Sequence, residues 1–119
     1  MQINKCVYFQ TNSGRIPVKE FIDSSHLWTQ EKFFSAVELL KEYGKKLPKP
    51  HADKLTDDIY ELRFVGGEGK IRVLYFFYHE DKVVFTNGFI KKTKKTPKKE
   101  IDLAESRRKL YLEKMEGNK

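Results

Sequence analysis

Residues 59–90 read "IYELRFVGGEGKIRVLYFFYHEDKVVFTNGFI": runs rich in aromatic and β-branched residues, interrupted by "GGEG" and "HED". Both interruptions are short enough for hairpins, so the stretch predicts three consecutive antiparallel strands. If Gly67 and Glu68 form a two-residue loop, with glycine first as a type II′ turn prefers, Arg63 falls directly opposite Arg72. The same reasoning at Glu80 and Asp81 sets Arg72 opposite Phe89 and Lys70 opposite Lys91, so that Arg63, Arg72, Lys70 and Lys91 converge on one sheet face. Tyr60, Leu62, Phe64, Ile71, Val73, Tyr75 and Ile90 then share the other face, an apolar surface that helices can cover.

Helical patterns flank this meander. Pro17 suits the first position of a helix, where its missing N–H costs nothing, and Val18, Phe21 and Ile22 follow on one face before an end near Ser24 and Ser25. From Thr29 as N-cap, Phe33, Val37, Leu40 and Tyr43 recur at helical spacing, and Gly44 sits where a left-handed C-cap is wanted. Trp28 and the neighbouring phenylalanines read as core. Ahead of these helices "INKCVYF" predicts a first strand and "QTNSGR" a turn, while "KKLPKPHADKLTDD", with two prolines and no period, predicts a loop. After Pro97 the apolar residues Ile101, Ala104, Tyr111, Leu112 and Met115, with Arg108 bridging the gap, predict a final helix with a frayed end. The order β, α, α, β, β, β, α describes an α+β fold: a small antiparallel sheet with two N-terminal helices packed on one face and a C-terminal helix.

A length of 119 residues fits a single domain spanning 1–119, and 39% hydrophobic with 13% aromatic residues can build a core despite 34% charged residues. Cys6, the only cysteine, has no internal disulfide partner; it points to a reducing compartment and to a role as buried filler ahead of nucleophile. No signal-peptide pattern follows Met1 and no apolar run approaches the ~20 residues of a membrane span, so a cytoplasmic protein without membrane attachment is expected.

The formal charge of +7 favours a polyanionic partner, because Lys and Arg gain affinity for phosphates by releasing condensed counterions. Much of that charge lies in "KKTKKTPKK", where Lys91, Lys92, Lys94, Lys95, Lys98 and Lys99 fall within nine residues. As a charge run alone this would be a solubilising lead into a helix. It abuts the arginine pair, however, and like charges directly opposite one another destabilise a hairpin, a cost that an anion would relieve. The bland alternative stands beside it: each arginine pairs with a carboxylate such as Glu61 or Glu68 and lies flat on the sheet. His26, His51 and His79 lack ligand spacing, "GGEGK" lacks the full phosphate-loop pattern, and neither a nucleophile elbow nor a dinucleotide fingerprint is present, so no metal and no cofactor is implied.

With "YELRF", "IRVLYFF", "GFIKKTKKTPKKEI" and a trailing A-x-x-R at Ala104 and Arg107, in this order and together with "GRIPVKEFI", the chain resembles the RelE/HigB toxin superfamily, and within it the phage-derived, HigB-like branch. The resemblance implies the toxin of a type II toxin–antitoxin pair, a ribosome-dependent mRNA endonuclease held silent by a helix-turn-helix antitoxin from a neighbouring gene, in a hetero-oligomeric complex. It implies a metal-independent reaction in which the RNA 2′-OH attacks the adjacent phosphate, leaving a 2′,3′-cyclic phosphate and a free 5′-OH. It matches Arg72 to the arginine aimed at the scissile phosphate, Arg63 to a basic position one strand away, and Lys91 or Lys92 to the next basic site. Lys70, Lys94, Lys95, Lys98 and Lys99 are then expected to bind RNA and ribosome.

Such a reaction asks for a base near the 2′-OH, cations on the phosphorane and an acid for the leaving oxygen. Lysine serves as base only if crowding by positive charge or desolvation lowers its pKa, as Lys91 and Lys92 beside two arginines allow; Glu61 is the rival base. "PKKEIDLA" supplies neither the histidine nor the C-terminal tyrosine that some family members use, and Tyr111 lies too far along the last helix. Two other functions compete: a non-catalytic inhibitor of DNA gyrase, as in the related ParE toxins, and an inactive relic that only binds an antitoxin.

Overall fold

The computed structural model describes residues 3–117. Its five strands are β1 (Lys5–Tyr8), β2 (Ala52–Lys54), β3 (Tyr60–Gly66), β4 (Gly69–Tyr78) and β5 (Lys82–Ile90), and its helices are α1 (Pro17–Asp23), α2 (Leu27–Tyr43) and α3 (Lys98–Glu116). The strands form one sheet in the order β1-β5-β4-β3-β2. The meander is as expected, but the sheet is mixed: β1 runs parallel to β5, while α1 and α2 carry the chain from β1 to β2 at the opposite edge. The stretch expected to be loop contributes β2, whose three residues pair with Tyr60, Glu61 and Leu62. Three residues are too few to show a period.

One face of the sheet carries the expected core. Leu62, Ile71, Val73, Tyr75, Val83 and Phe85 meet Val18 and Ile22 of α1 and Phe33, Ala36 and Leu40 of α2, all buried. Gly88 lets α1 lie close, since a Cβ there would stand 2.7 Å from a ring carbon of Phe21. The helix α2 begins three residues earlier than the sequence suggests, with His26 as its N-cap. Thr29 instead is fully buried, and its hydroxyl is shared between the Gly67 N–H, at 2.8 Å, and the Glu68 carboxylate. Glu68 also accepts the His26 N–H at 2.7 Å, so the hairpin caps the helix from outside, a partner no local pattern announces. Gly44 ends the helix with φ 56°, as expected. Trp28 is 52% exposed and Phe34 55%; they stand on the outer side of α2 and are not core.

The second face is only partly open. Phe9, Ile59, Leu74, Phe76 and Val84 pack there under Ala104 and Tyr111 of α3, giving a second core that the expectation of one packed and one reading face missed. Tyr111 sits edge-on to Phe76 and Tyr78, with ring centroids 5.6 and 5.2 Å away, and burial raises its phenol pKa. Cys6 packs at the edge of the first core, and burial pushes its thiol up to about 11, which suits filler.

The register is the expected one, reached by an unexpected route. Arg63 faces Arg72 across the Gly67–Glu68 loop, although the positive φ of 122° falls on Gly69 and not on Gly67. The next loop has three residues, His79 to Asp81, with His79 at φ 56° and Tyr78 opposite Lys82. Tyr75 faces Phe85 but Leu74 faces Asn87, so Thr86 is an extra, bulged residue that returns Arg72 to Phe89. Without it the side chains beyond Thr86 would change faces, and Lys91 would turn away from Arg72. Arg107 of α3 holds this bulge: it donates to the Thr86 carbonyl at 2.9 Å, and its guanidinium lies 5.6 Å over the Phe9 ring. Replacing Arg107 with alanine should lower stability by about 1–3 kcal/mol, the range for a buried group left without its partner. The urea midpoint is expected to fall at unchanged slope; a variant as stable as the parent would remove Arg107 from this role.

Candidate functional site

Beyond the edge of α3 the second face ends in a basic cluster. Two-residue periodicity places Asp53, Glu61, Leu74 and Asn87 in one row across the sheet and Arg63, Arg72 and Phe89 in the next. Lys70 follows on the same face, and the Lys91 N–H donates to the Lys70 carbonyl at 2.7 Å as β5 ends. The sequence-predicted group of Arg63, Arg72, Lys70 and Lys91 is therefore brought together.

Glu61 is the centre of this cluster and is completely buried. Its Oε2 accepts from Arg63 Nε at 2.8 Å and lies 3.9 Å from Arg72 Nε, too far for a hydrogen bond. Its Oε1 accepts from the Thr96 hydroxyl, which pins the lysine-bearing segment 91–97 onto the sheet. Arg63 reaches on to Asp53, donating to Oδ2 at 3.0 Å, and Lys49 approaches the other oxygen of Asp53 at 3.8 Å. Asp53 and Thr96 belong to this network although nothing in the sequence singled them out; both lie in segments without a period.

The two arginines differ. Arg63 spends its fork on Glu61 and Asp53, close to the bland alternative. Arg72 is 8% exposed; its Nη1 donates to the Ile71 carbonyl at 2.9 Å, and its Nε is buried with no hydrogen-bond partner. Burial lowers its pKa, with Arg63 adding to the effect and Glu61 opposing it, but a guanidinium remains charged. Loss of hydration likewise holds the Lys91 ammonium below the usual lysine range, helped by Arg72 and by the weaker fields of Arg63 and Lys70, against Glu61. Lys92, Lys94, Lys95, Lys98 and Lys99 are exposed along the following segment and the start of α3, where Lys98 pairs with Asp102 at 2.8 Å.

A groove of about 460 Å³ opens beside the cluster, with Arg63, Arg72 and Lys70 in its wall. The model of a family described as phage-derived protein Gp49-like (DUF891) matches residues 20–109, a span that holds the whole cluster and the Arg107 clamp. The chain belongs to the Gp49-like family. Gp49-like proteins are RelE/HigB-like toxins of toxin–antitoxin pairs, which supports a toxin role and an antitoxin partner here. No curated protein matches the chain. Among the described residues no helix is long and apolar enough to cross a membrane.

The geometry makes Glu61 the counter-charge that lets two arginines stand opposite each other. Glu61→Gln keeps the shape and removes the charge. It should cost about 3–5 kcal/mol, as breaking a buried ion pair does, and sulfate should restore part of that loss by binding the folded state. Urea titrations across sulfate concentrations check this; a variant that gains no more from sulfate than the parent protein would show that the arginines do not repel.

Proposed function

We propose that this Gp49-like protein is a HigB-like type II toxin that cleaves mRNA on the ribosome, in the cytoplasm, until a helix-turn-helix antitoxin binds it in a hetero-oligomer. The observation that carries this reading is Arg72: a buried guanidinium whose Nε lacks an acceptor, held in a basic cluster at the edge of an open groove. Keeping a polar donor buried and unpaired costs free energy, and an anionic oxygen arriving there recovers it.

In the proposed reaction the RNA 2′-OH loses its proton to the amine of Lys91, whose pKa loss of hydration and Arg72 lower. The 2′-oxygen bonds to phosphorus, the bond from phosphorus to the 5′-oxygen breaks, and the leaving oxygen takes a proton from the ammonium of Lys92. Arg72, seconded by Arg63, stabilises the extra charge on the phosphorane. Glu61, with one oxygen on Arg63 and the other on Thr96, acts as counter-ion instead of base. Lys70, Lys94, Lys95, Lys98 and Lys99 hold RNA and ribosome by long-range attraction.

Arg72→Ala should slow single-turnover cleavage of ribosome-bound message by about 10²–10³, the loss typical of one oxyanion donor, with ribosome binding little changed. Arg72→Lys should recover only part, because an ammonium keeps the charge and loses the two-pronged contact. Lys95→Ala should weaken binding and flatten its salt dependence while sparing the chemical step. Arg72→Ala cleaving at the parental rate would overturn the assignment, and loss of DNA supercoiling with transcripts intact would point to gyrase instead.

A further inference from the structure

The groove beside Arg72 runs along the free edge of β3. The strand β2 pairs only as far as Leu62, and the Arg63 N–H, pointing outward, donates to the His51 carbonyl at 2.9 Å. Two-residue periodicity turns the Val65 N–H and C=O outward as well, beyond the last residue of β2. Leu39, Pro50, Phe64 and Val65 give the groove an apolar floor, and Lys32 and Ser35 of α2 form the wall facing the sheet edge. Its charged lining residues are Lys32, Arg63, Lys70 and Arg72, all cations.

A peptide of acidic residues alone would meet the cations and leave the apolar floor uncovered. A nucleotide offers both parts at once, a flat apolar face and an anionic phosphate on one short ligand. The volume of about 460 Å³ lies inside the range of small-ligand sites. Because Arg63 and Arg72 line the groove themselves, a base seated there is continuous with a phosphate at Arg72.

We propose that this β3-edge groove is a base-recognition pocket, receiving the nucleobase next to the scissile phosphate and favouring one with a carbonyl oxygen at purine position 6 or pyrimidine position 4, guanine or uracil. The proposal rests on the endonuclease reading. The preference follows from the α2 wall: a lysine ammonium only donates, so it pairs with O6 of guanine or O4 of uracil and repels the amino group that adenine and cytosine carry at the same position.

Two exposed positions on α2 test this without disturbing the core. Lys32→Met should flatten a guanine or uracil preference in the mapped 5′-OH ends, and Ser35→Trp, which fills the groove, should lower cleavage by about tenfold or more, the scale on which pocket shape discriminates. Ribosome binding should stay unchanged in both. Unaltered site distribution and rate in the two variants, with Arg72→Ala impaired, would overturn the pocket and leave the endonuclease reading standing; a parent protein that leaves ribosome-bound message intact would sink that reading instead. A second arm needs no activity. The dinucleotide dGpU, which lacks the attacking 2′-OH, should shift the amide resonances of Ser35, His51 and Val65, whereas inorganic phosphate should shift only those around Arg72 and Lys91. Equal effects of phosphate, no effect of dGpU, or shifts from a glutamate-rich peptide alone would each overturn the pocket.

Discussion

Two arginines face each other across β3 and β4, and one buried carboxylate makes that arrangement stable. Like charges in directly opposed positions repel, and each guanidinium also loses water as the sheet forms. Glu61 answers both costs, because its side chain lies on the same face one row away and is sealed from solvent. Yet one negative charge among Arg63, Arg72 and Lys91 leaves the cluster cationic. Asp53 corrects this for Arg63 alone. What remains is a positive field concentrated at Arg72, fixed in place before any ligand arrives.

The same carboxylate organises the chain beyond the sheet. Thr96 donates to it and ties down the segment that carries the lysines, so the cluster and the lysine run are one construction and not two neighbouring basic features. Lys91 reaches the cluster because Thr86 is inserted into β5, and Arg107 satisfies the carbonyl that this insertion displaces. In the A-x-x-R pattern, then, Ala104 packs α3 onto the sheet and Arg107 secures the bulge. A motif that reads as a functional signature in the sequence acts here through register, by deciding which face the end of β5 presents.

Much of this was legible because strands with a period of two declare their faces. Arg63 opposite Arg72, and Arg72 opposite Phe89, followed from hairpin arithmetic even though the second hairpin was read incorrectly: a loop one residue longer and a bulge of one residue cancel. The parallel pairing of β1 could not be seen, since its partner β5 is the last strand in the chain and leaves no local trace near residue 5. Nor could the cap on α2, where Glu68 comes from the far hairpin to the His26 N–H. Trp28 and Phe34 misled because apolar residues on an outer helix side look like core until the helix is placed. Glu61 was visible as a candidate, but its contact with Thr96 was not, since it spans 35 residues.

The positive charge is graded by depth, and depth decides what each charge can do. Exposed lysines such as Lys94 and Lys95 act through water, where a Debye length of about 8 Å at physiological salt confines their reach. They can gather a polyanion and set its salt dependence, but they discriminate poorly between one phosphate and the next. Arg72, walled by protein and short of one hydrogen bond, is little screened and has a fixed direction. A bound phosphate chain would be attracted by the outer lysines and aligned by the inner guanidinium. Arg63, already committed to two carboxylates, contributes field without being free to follow the ligand. The asymmetry of two arginines that the strand register makes equivalent is thus created by Glu61 and Asp53, and it is this asymmetry that singles out one guanidinium in a broad basic surface as the one with a donor left to give.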